Sequence, residues 1–373
     1  MVMINAMGLI MSDKEIHINS LTDKRSISAL PFAAKYRLID FILSSMVNSG
    51  ITNVGVVPRQ NYSSLMDHLG SGKEWDLSRK NDGLHILPPL MGRGIHGLGK
   101  GDVDLIAAVG GFIKRSKQKY IILSDGNMVL NIDFKDVIDF HMENYADITL
   151  VYYEESNADR NLFFHTILEI DNDNRVTGLE VRPRRPKTKN VYMNILLMEK
   201  SFLQYLTDEA FARGESDLVK DILIKKLSQL NICAYRFNGY VGCIDSIDSY
   251  YRHSMNMLNE EMREELFNPN RPIYTKIKDQ VPTKYGNNAY VENCLIADGC
   301  TIEGQIENSI VFRGVYIGKG TRVKNCIIMQ NSVIQDGCDL EHVIMDKEVI
   351  VRESGRLIGE YNYPMIIAKG AVV

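Results

Sequence analysis

The residues best suited to chemistry fall in a few short stretches. Asp125 follows the apolar run Tyr120-Ile121-Ile122-Leu123-Ser124, and the carboxyl end of a buried strand is where an open α/β sheet presents its ligand. Gly92, Gly94, Gly97, Gly99 and Gly101 alternate with other residues, a pattern that predicts a mobile loop. Arg182, Arg184, Arg185, Lys187 and Lys189 form a basic run broken by Pro183 and Pro186, which by itself reads as a solvated loop. Cys243 and Asp245 sit close together in Gly239-Tyr240-Val241-Gly242-Cys243-Ile244-Asp245, with nothing beside the thiol to lower its pKa and favour redox chemistry. The six cysteines have no Cys-x-x-Cys spacing and all lie in the second half of the chain, so they read as buried free thiols.

Elements must position these residues. From Leu38 the apolar positions Leu38, Phe41, Ile42 and Met46 recur at helical spacing, and Gly50 stands where a helix stops. Arg37 and Asp40 fall at the start of that helix, where Asp suits the dipole and Arg needs a partner. Thr52-Asn53-Val54-Gly55-Val56-Val57-Pro58 is a β-branched run of the kind that fills a parallel strand covered on both faces. Met3 to Ile10 is apolar enough for a first strand. A charged helix is expected between Asn256 and Phe267, and Asn268-Pro269-Asn270-Arg271-Pro272 then breaks the chain, so the domains are read as 1–267 and 268–373. Beyond the break Ile296 and Ile302, then Val311, Ile317 and Val323, then Ile328 and Ile334, recur every six residues, with Asp298-Gly299, Lys319-Gly320 and Asp336-Gly337 in turns. That period predicts the hexapeptide coils of a parallel β-helix.

A chain of 373 residues with 45% hydrophobic content can bury a large core. Its net charge of -4 and pI near 6.1 give no electrostatic reason to expect a nucleic-acid or membrane partner. No run of about 18 apolar residues is present to span a bilayer, and the N-terminus lacks a basic region, apolar stretch and cleavage site, so a cytoplasmic location is expected.

The run Leu30-Pro31-Phe32-Ala33-Ala34-Lys35-Tyr36-Arg37-Leu38-Ile39-Asp40-Phe41, followed by Asn48-Ser49-Gly50-Ile51, closely resembles the opening segment of the ADP-glucose pyrophosphorylase (glucose-1-phosphate adenylyltransferase) family. There the pattern is Pro-Phe-Gly-Gly-Lys-Tyr-Arg-Leu-Ile-Asp-Phe and then Asn-Ser-Gly-Ile. His68-Leu69-Gly70-Ser71-Gly72-Lys73-Glu74-Trp75-Asp76-Leu77, Ile86-Leu87-Pro88-Pro89 and Gly239 to Tyr251 carry the resemblance over nearly the whole chain. It implies an α/β fold with a nucleotidyltransferase-type, Rossmann-like, mostly parallel sheet, followed by a left-handed parallel β-helix, assembled into tetramers.

The resemblance also assigns a site, and this chain departs from it. The relatives follow the first strand with Gly-Gly-x-Gly-x-Arg-Leu, whose glycines admit a triphosphate and whose arginine neutralises pyrophosphate. Here the matched region retains Gly8 and no arginine. A conserved-pattern lysine is replaced by Ile27, with Lys24 or Arg25 as candidates to supply the missing charge. The adenine-nucleotide loop Gly-Thr-Ala-Asp-Ala corresponds to Gly101-Asp102-Val103-Asp104-Leu105, leaving Gly101 and Asp104 as vestigial nucleotide-binding residues. The metal aspartate of Ser-Gly-Asp-His meets Ser124-Asp125-Gly126-Asn127, with Asp and Gly exchanged. The sugar-phosphate lysine of Glu-Lys-Pro corresponds to Arg182, and its position beside the sugar site makes Arg182, Arg184 and Arg185 candidates for a sugar-phosphate or effector anion. Asn194 takes the place of a glycine against which the sugar packs. The second metal aspartate aligns with Cys243; Mg2+ requires oxygen ligands, and Asp245 is the nearest candidate for a displaced one.

The resemblance and its failures together imply a catalytically impaired, regulatory subunit of ADP-glucose pyrophosphorylase that pairs with a catalytic subunit in a hetero-oligomer, with a homo-oligomer open for the chain alone. No cofactor is then required. The alternative is an active glucose-1-phosphate adenylyltransferase using Mg2+ through Asp125 and Asp245. A third reading, an acyltransferase working on the coils, needs a histidine base there, and His342 is the only candidate.

Overall fold

The computed structural model describes residues 5–12, 18–88, 101–156 and 162–373. The glycine-rich stretch from Gly92 to Gly99 lies outside the described residues.

The helix expected from the Leu38 pattern is α1 (Leu38–Asn48), with its residues from Leu38 to Met46 all buried. Its start is fixed by Asp40, whose Oδ2 accepts the Arg37 backbone N–H at 2.9 Å. Gly50, at φ +85°, closes it by donating to the Val47 carbonyl at 2.8 Å. The chain then enters a buried strand, and the principal sheet strands are β1 (Ala6–Met11), β2 (Asn53–Val57), β3 (Gly83–Ile86), β4 (Tyr120–Asp125), β5 (Ile148–Glu154), β6 (Thr166–Ile170), β7 (Val176–Val181), β8 (Asn190–Glu199) and β9 (Ile232–Arg236).

These nine strands form one sheet in the order β7-β6-β8-β4-β1-β2-β3, with β5 also beside β8 and β9 beside β5. The β4-β1-β2-β3 half is parallel, and β8 runs antiparallel to β4. Alternate residues feed two cores, one holding Ile10, Val54, Val56 and Ile122, the other Met7, Leu9, Ile121 and Leu123. The carboxyl ends of β1 and β4 meet where Met11 pairs with Asp125, which places Asp125 at the ligand edge of the sheet.

The second domain is the left-handed β-helix, with three five-stranded parallel faces. Ile302, Ile317, Ile334 and Val351 stack on one face, Ile306, Val323 and Leu340 on another, and Val311, Ile328 and Met345 on the third, all buried. Hydroxyls hold the coil spacing: Thr283, Ser309, Thr321 and Ser332 accept the backbone N–H of Cys300, Cys326, Cys338 and Val349, each 17 residues on. The cysteines are all free; Cys233, Cys300, Cys326 and Cys338 are buried, and Cys243 and Cys294 half-buried. Burial pushes the Cys326 thiol up to about 12, so it is an inert packing group.

The two domains share a core rather than a hinge. Leu30, Phe32, Phe41, Tyr250 and Leu266 pack with Ile310, Phe312, Ile327, Met329 and Ile344. The connecting segment is also pinned, since Asn131 donates to the Leu266 and Arg271 carbonyls and the Tyr274 N–H to Ser44 Oγ. His342 belongs to this seam. It lies in a column of left-handed residues with Asn293, Asn308 and Asn325, and its Nδ1 is 2.9 Å from the Tyr251 hydroxyl. A histidine so occupied within the fold is a seam residue, which removes the basis for the acyltransferase reading. Among the described residues no helix is long and apolar enough to cross a membrane.

Candidate functional site

The two segments that carry the positions marked for metal come together, although Asp125 itself does not join Cys243 and Asp245. The two-residue strands Met128–Val129 and Gly242–Cys243 pair antiparallel, with Cys243 opposite Met128. Asn127 reinforces the contact: its side-chain amide donates to the Ile244 carbonyl at 2.7 Å and its own carbonyl accepts the Ile244 N–H. The turn after β4 and the Cys243 segment are therefore held side by side at the carboxyl end of the sheet.

Asp125 is buried at the end of β4. It lies close enough to Tyr192 for its charge to add to burial in raising that phenol well above its ordinary pKa. Gly126, at the place of the relatives' metal aspartate, is pressed against the short turn Ile27–Ala29, and a Cβ there would overlap Ser28 Oγ. Ser28 in turn donates to the Ser12 carbonyl. A side chain where the metal aspartate is expected would have to displace Ser28.

Ile27 is buried among Ile18, Leu21, Leu30 and Phe32, so an apolar plug stands at the lysine position. Arg25 does not supply the lost charge to the cleft: its Nη2 holds both carboxylate oxygens of Asp346, in the β-helix, at 2.8 and 2.9 Å. The expectation for Gly8 is corrected. It lies in the middle of β1, paired with Val54 and Ile122, where a Cβ would overlap the Met46 sulfur. It is a packing glycine. The segment after β1 reads Ser12-Asp13-Lys14-Glu15-Ile16-His17, with no glycine, and residues 13–17 lie outside the described residues.

Gly101 and Asp104 are placed at the start of α2 (Asp102–Ala108), where the Gly101 N–H donates to Asp104 Oδ2 at 3.3 Å. A Cβ on Gly101 would overlap the Ser216 carbonyl, which itself accepts the Val103 N–H. Both residues thus have positioning work within the fold. Arg182 adopts φ +53°, donates its N–H to the His165 carbonyl, and is exposed, as are Arg184 and Arg185. Lys187 is paired with Glu169 at 2.6 Å. The basic run is an exposed loop after β7. Asn194 sits in the left-handed region, φ +54°, at an irregularity in the β8-β5 pairing, which accounts for a glycine or asparagine at that position.

Two features escaped the sequence reading. His165, just before β6, points its Nε2 to within 3.5 Å of Asp245 Oδ2, and ligand atoms of His165, Cys243 and Asp245 all lie within 4.8 Å of one another. Asp125 is outside this cluster. Asp245 is itself oriented, since Ser246 Oγ donates to its Oδ1 and its own N–H donates to Ser249 Oγ, at the start of α3 (Ile247–Asn256). The second feature is Lys347, next to Asp346. Burial, with the like charges of Arg37 and Arg25, pulls its ammonium down to about 7, against the pull of Asp346 in the other direction. Arg37 finds the partner its position required in the Ser64 carbonyl and hydroxyl.

Lys347 makes stability depend on pH with a definite sign. An unfolded lysine keeps its proton to about pH 10.4, so between about 7 and 10 the unfolded chain binds more protons than the folded one and stability rises with pH, by up to about 1.4 kcal/mol per unit. Lys347→Met is expected to be more stable than the parent at neutral pH, with the advantage shrinking as pH rises toward 9. Urea unfolding of both chains at several pH values in this window checks it, and parallel curves would refute it.

Comparison with known proteins agrees with this architecture. The Nucleotidyl transferase family matches residues 17–260, and the GlmU-like C-terminal hexapeptide family matches residues 279–362. The chain belongs to the nucleotidyl transferase family. It is 37% identical to the "Glycogen biosynthesis protein GlgD" of Bacillus subtilis (strain 168), over 95% of this chain and 93% of that protein. It is 41% identical to the protein of the same name from Geobacillus stearothermophilus, over 82% and 79%. A "Glucose-1-phosphate adenylyltransferase" of Desulfitobacterium hafniense (strain Y51) is 30% identical over 88% and 83%. Within the family, then, the chain is of the ADP-glucose pyrophosphorylase kind and GlgD-like in type.

The resemblance implies Mg2+, and the residues present do not fit it. Mg2+ holds near-octahedral oxygen ligands at about 2.0–2.1 Å. Among the described residues the group offers a thiol and an imidazole beside a single carboxylate, with Asp125 outside it.

Proposed function

We propose that the chain is a catalytically impaired, regulatory subunit that binds a catalytic ADP-glucose pyrophosphorylase subunit in glycogen synthesis in the cytoplasm and alters its kinetics. The observation that carries this reading is a sheet that is formed, with Asp125 at the carboxyl end of β4, while Cys243 stands at the position of the metal aspartate and the buried Ile27 at that of the lysine. Nucleotidyl transfer depends on positioning and on charge stabilisation, so a scaffold without those charges has kept its shape and lost its reagents. A hetero-tetramer gives the retained shape a use. Exposed Ile350, Ile358, Tyr361 and Tyr363 near the end of the β-helix are available for such contact.

The test is pyrophosphate release from ATP and glucose 1-phosphate with Mg2+, by the chain alone and mixed with a catalytic subunit from the same source. The expected result is no turnover alone and altered kinetics in the mixture. Efficient turnover alone would favour the active-enzyme reading.

A further inference from the structure

We infer that His165, Cys243 and Asp245 form a binding site for a thiophilic divalent cation of the Zn2+ class, which clamps the start of β6 to the Cys243 segment across the cleft.

The donor set is the first ground. An imidazole, a thiol that becomes a thiolate on binding, and a carboxylate suit Zn2+ or Co2+, and three protein ligands with a fourth position left to water is a common arrangement for such ions. Mg2+ has no use for sulfur. Geometry is the second ground. Tetrahedral Zn2+ with bonds of about 2.0–2.3 Å sets its ligand atoms roughly 3.3–3.7 Å apart. His165 Nε2 and Asp245 Oδ2 are already 3.5 Å apart. The remaining separations stay within 4.8 Å, about 1 Å beyond the tetrahedral spacing.

The third ground is preorganisation by unrelated elements. Cys243 is fixed by strand pairing with Met128, Asp245 Oδ1 is held by Ser246 so that Oδ2 faces His165, and the His165 carbonyl is tied to the Arg182 N–H. These anchors belong to the strand-end wall on one side and the β6–β7 hairpin on the other. An ion between them would cross-link the two sides. It would also add to stability by mass action, because the unfolded chain has no preformed site.

The full chain, freed of metal with a chelator and dialysed, is titrated with Co2+ while its absorption is followed, then challenged with Zn2+ and, separately, with excess Mg2+. The expected result is stoichiometric Co2+ with a thiolate-to-cobalt charge-transfer band, displaced by Zn2+ and not by Mg2+, and a rise in thermal midpoint with Zn2+. Cys243→Ser should abolish the band, and His165→Ala should weaken Co2+ binding by more than about tenfold. Thermal unfolding of the metal-free variants establishes that each is folded, and either alone suffices if the other is not. No band, a band that survives Cys243→Ser through another of the free cysteines, or equal displacement by Mg2+ would each overturn the assignment.

Discussion

Arg25→Ala is expected to lower the stability of the full chain by about 3–5 kcal/mol, the usual consequence of leaving one member of a buried ion pair behind. Both side chains are almost wholly inaccessible, 4% exposed for Arg25 and 1% for Asp346. The carboxylate accepts the two guanidinium contacts and the Lys347 backbone N–H, and Arg25 Nη1 also lies 3.9 Å from the Met329 sulfur. Removing the guanidinium leaves a desolvated carboxylate in the shared core of two domains. Asp346→Ala should cost a similar amount. The double variant Arg25→Ala with Asp346→Ala should cost less than the sum, because neither charge is then stranded. Trp75, the one tryptophan and fully buried in the sheet domain, reports unfolding by fluorescence in urea. A midpoint unchanged in either single variant would show that water or Lys347 satisfies the remaining charge, and the seam would not be held as argued.

That ion pair also marks the limit of what the sequence could reveal. Partners 321 residues apart leave no local pattern, and Arg25 looked like a candidate cation for the cleft. His165 was missed for the same reason: a lone histidine before a strand carries no spacing that ties it to Cys243 and Asp245. Periodic features read well. The Leu38 helix, the strand at Val54 and the hexapeptide columns each repeat a local pattern that burial enforces, so the sheet domain and the β-helix were both legible. Gly8 failed because β1 is buried along its whole length. With no polar residue alternating in it, nothing in the sequence fixes where such a strand ends and a loop glycine begins. The exchange of Asp125 and Gly126 was visible as letters, but its meaning depended on Ser28 filling the space against Gly126.

The largest expected effect concerns turnover. A preorganised charge contact in a transfer reaction contributes about 2.7–4 kcal/mol, or about 10²–10³ in rate. On the proposed reading, in which the resemblance puts a metal ligand at Cys243 and a cation at Ile27, the chain alone should release pyrophosphate at least about 10⁴-fold more slowly than a catalytic relative. Cys243→Asp then tests whether the deficit is one group or several. It restores a carboxylate at the aligned position, yet leaves Ile27 plugged, Gly126 pressed against Ser28, and Asp125 buried beside Tyr192. Recovery should therefore stay below about 10³-fold, and pyrophosphate release should remain well short of a catalytic subunit's. Full recovery from this single change would mean that the metal ligand was the only loss. Parent turnover that needs Asp245, abolished by Asp245→Ala, would instead identify a working enzyme whose metal had moved along the chain.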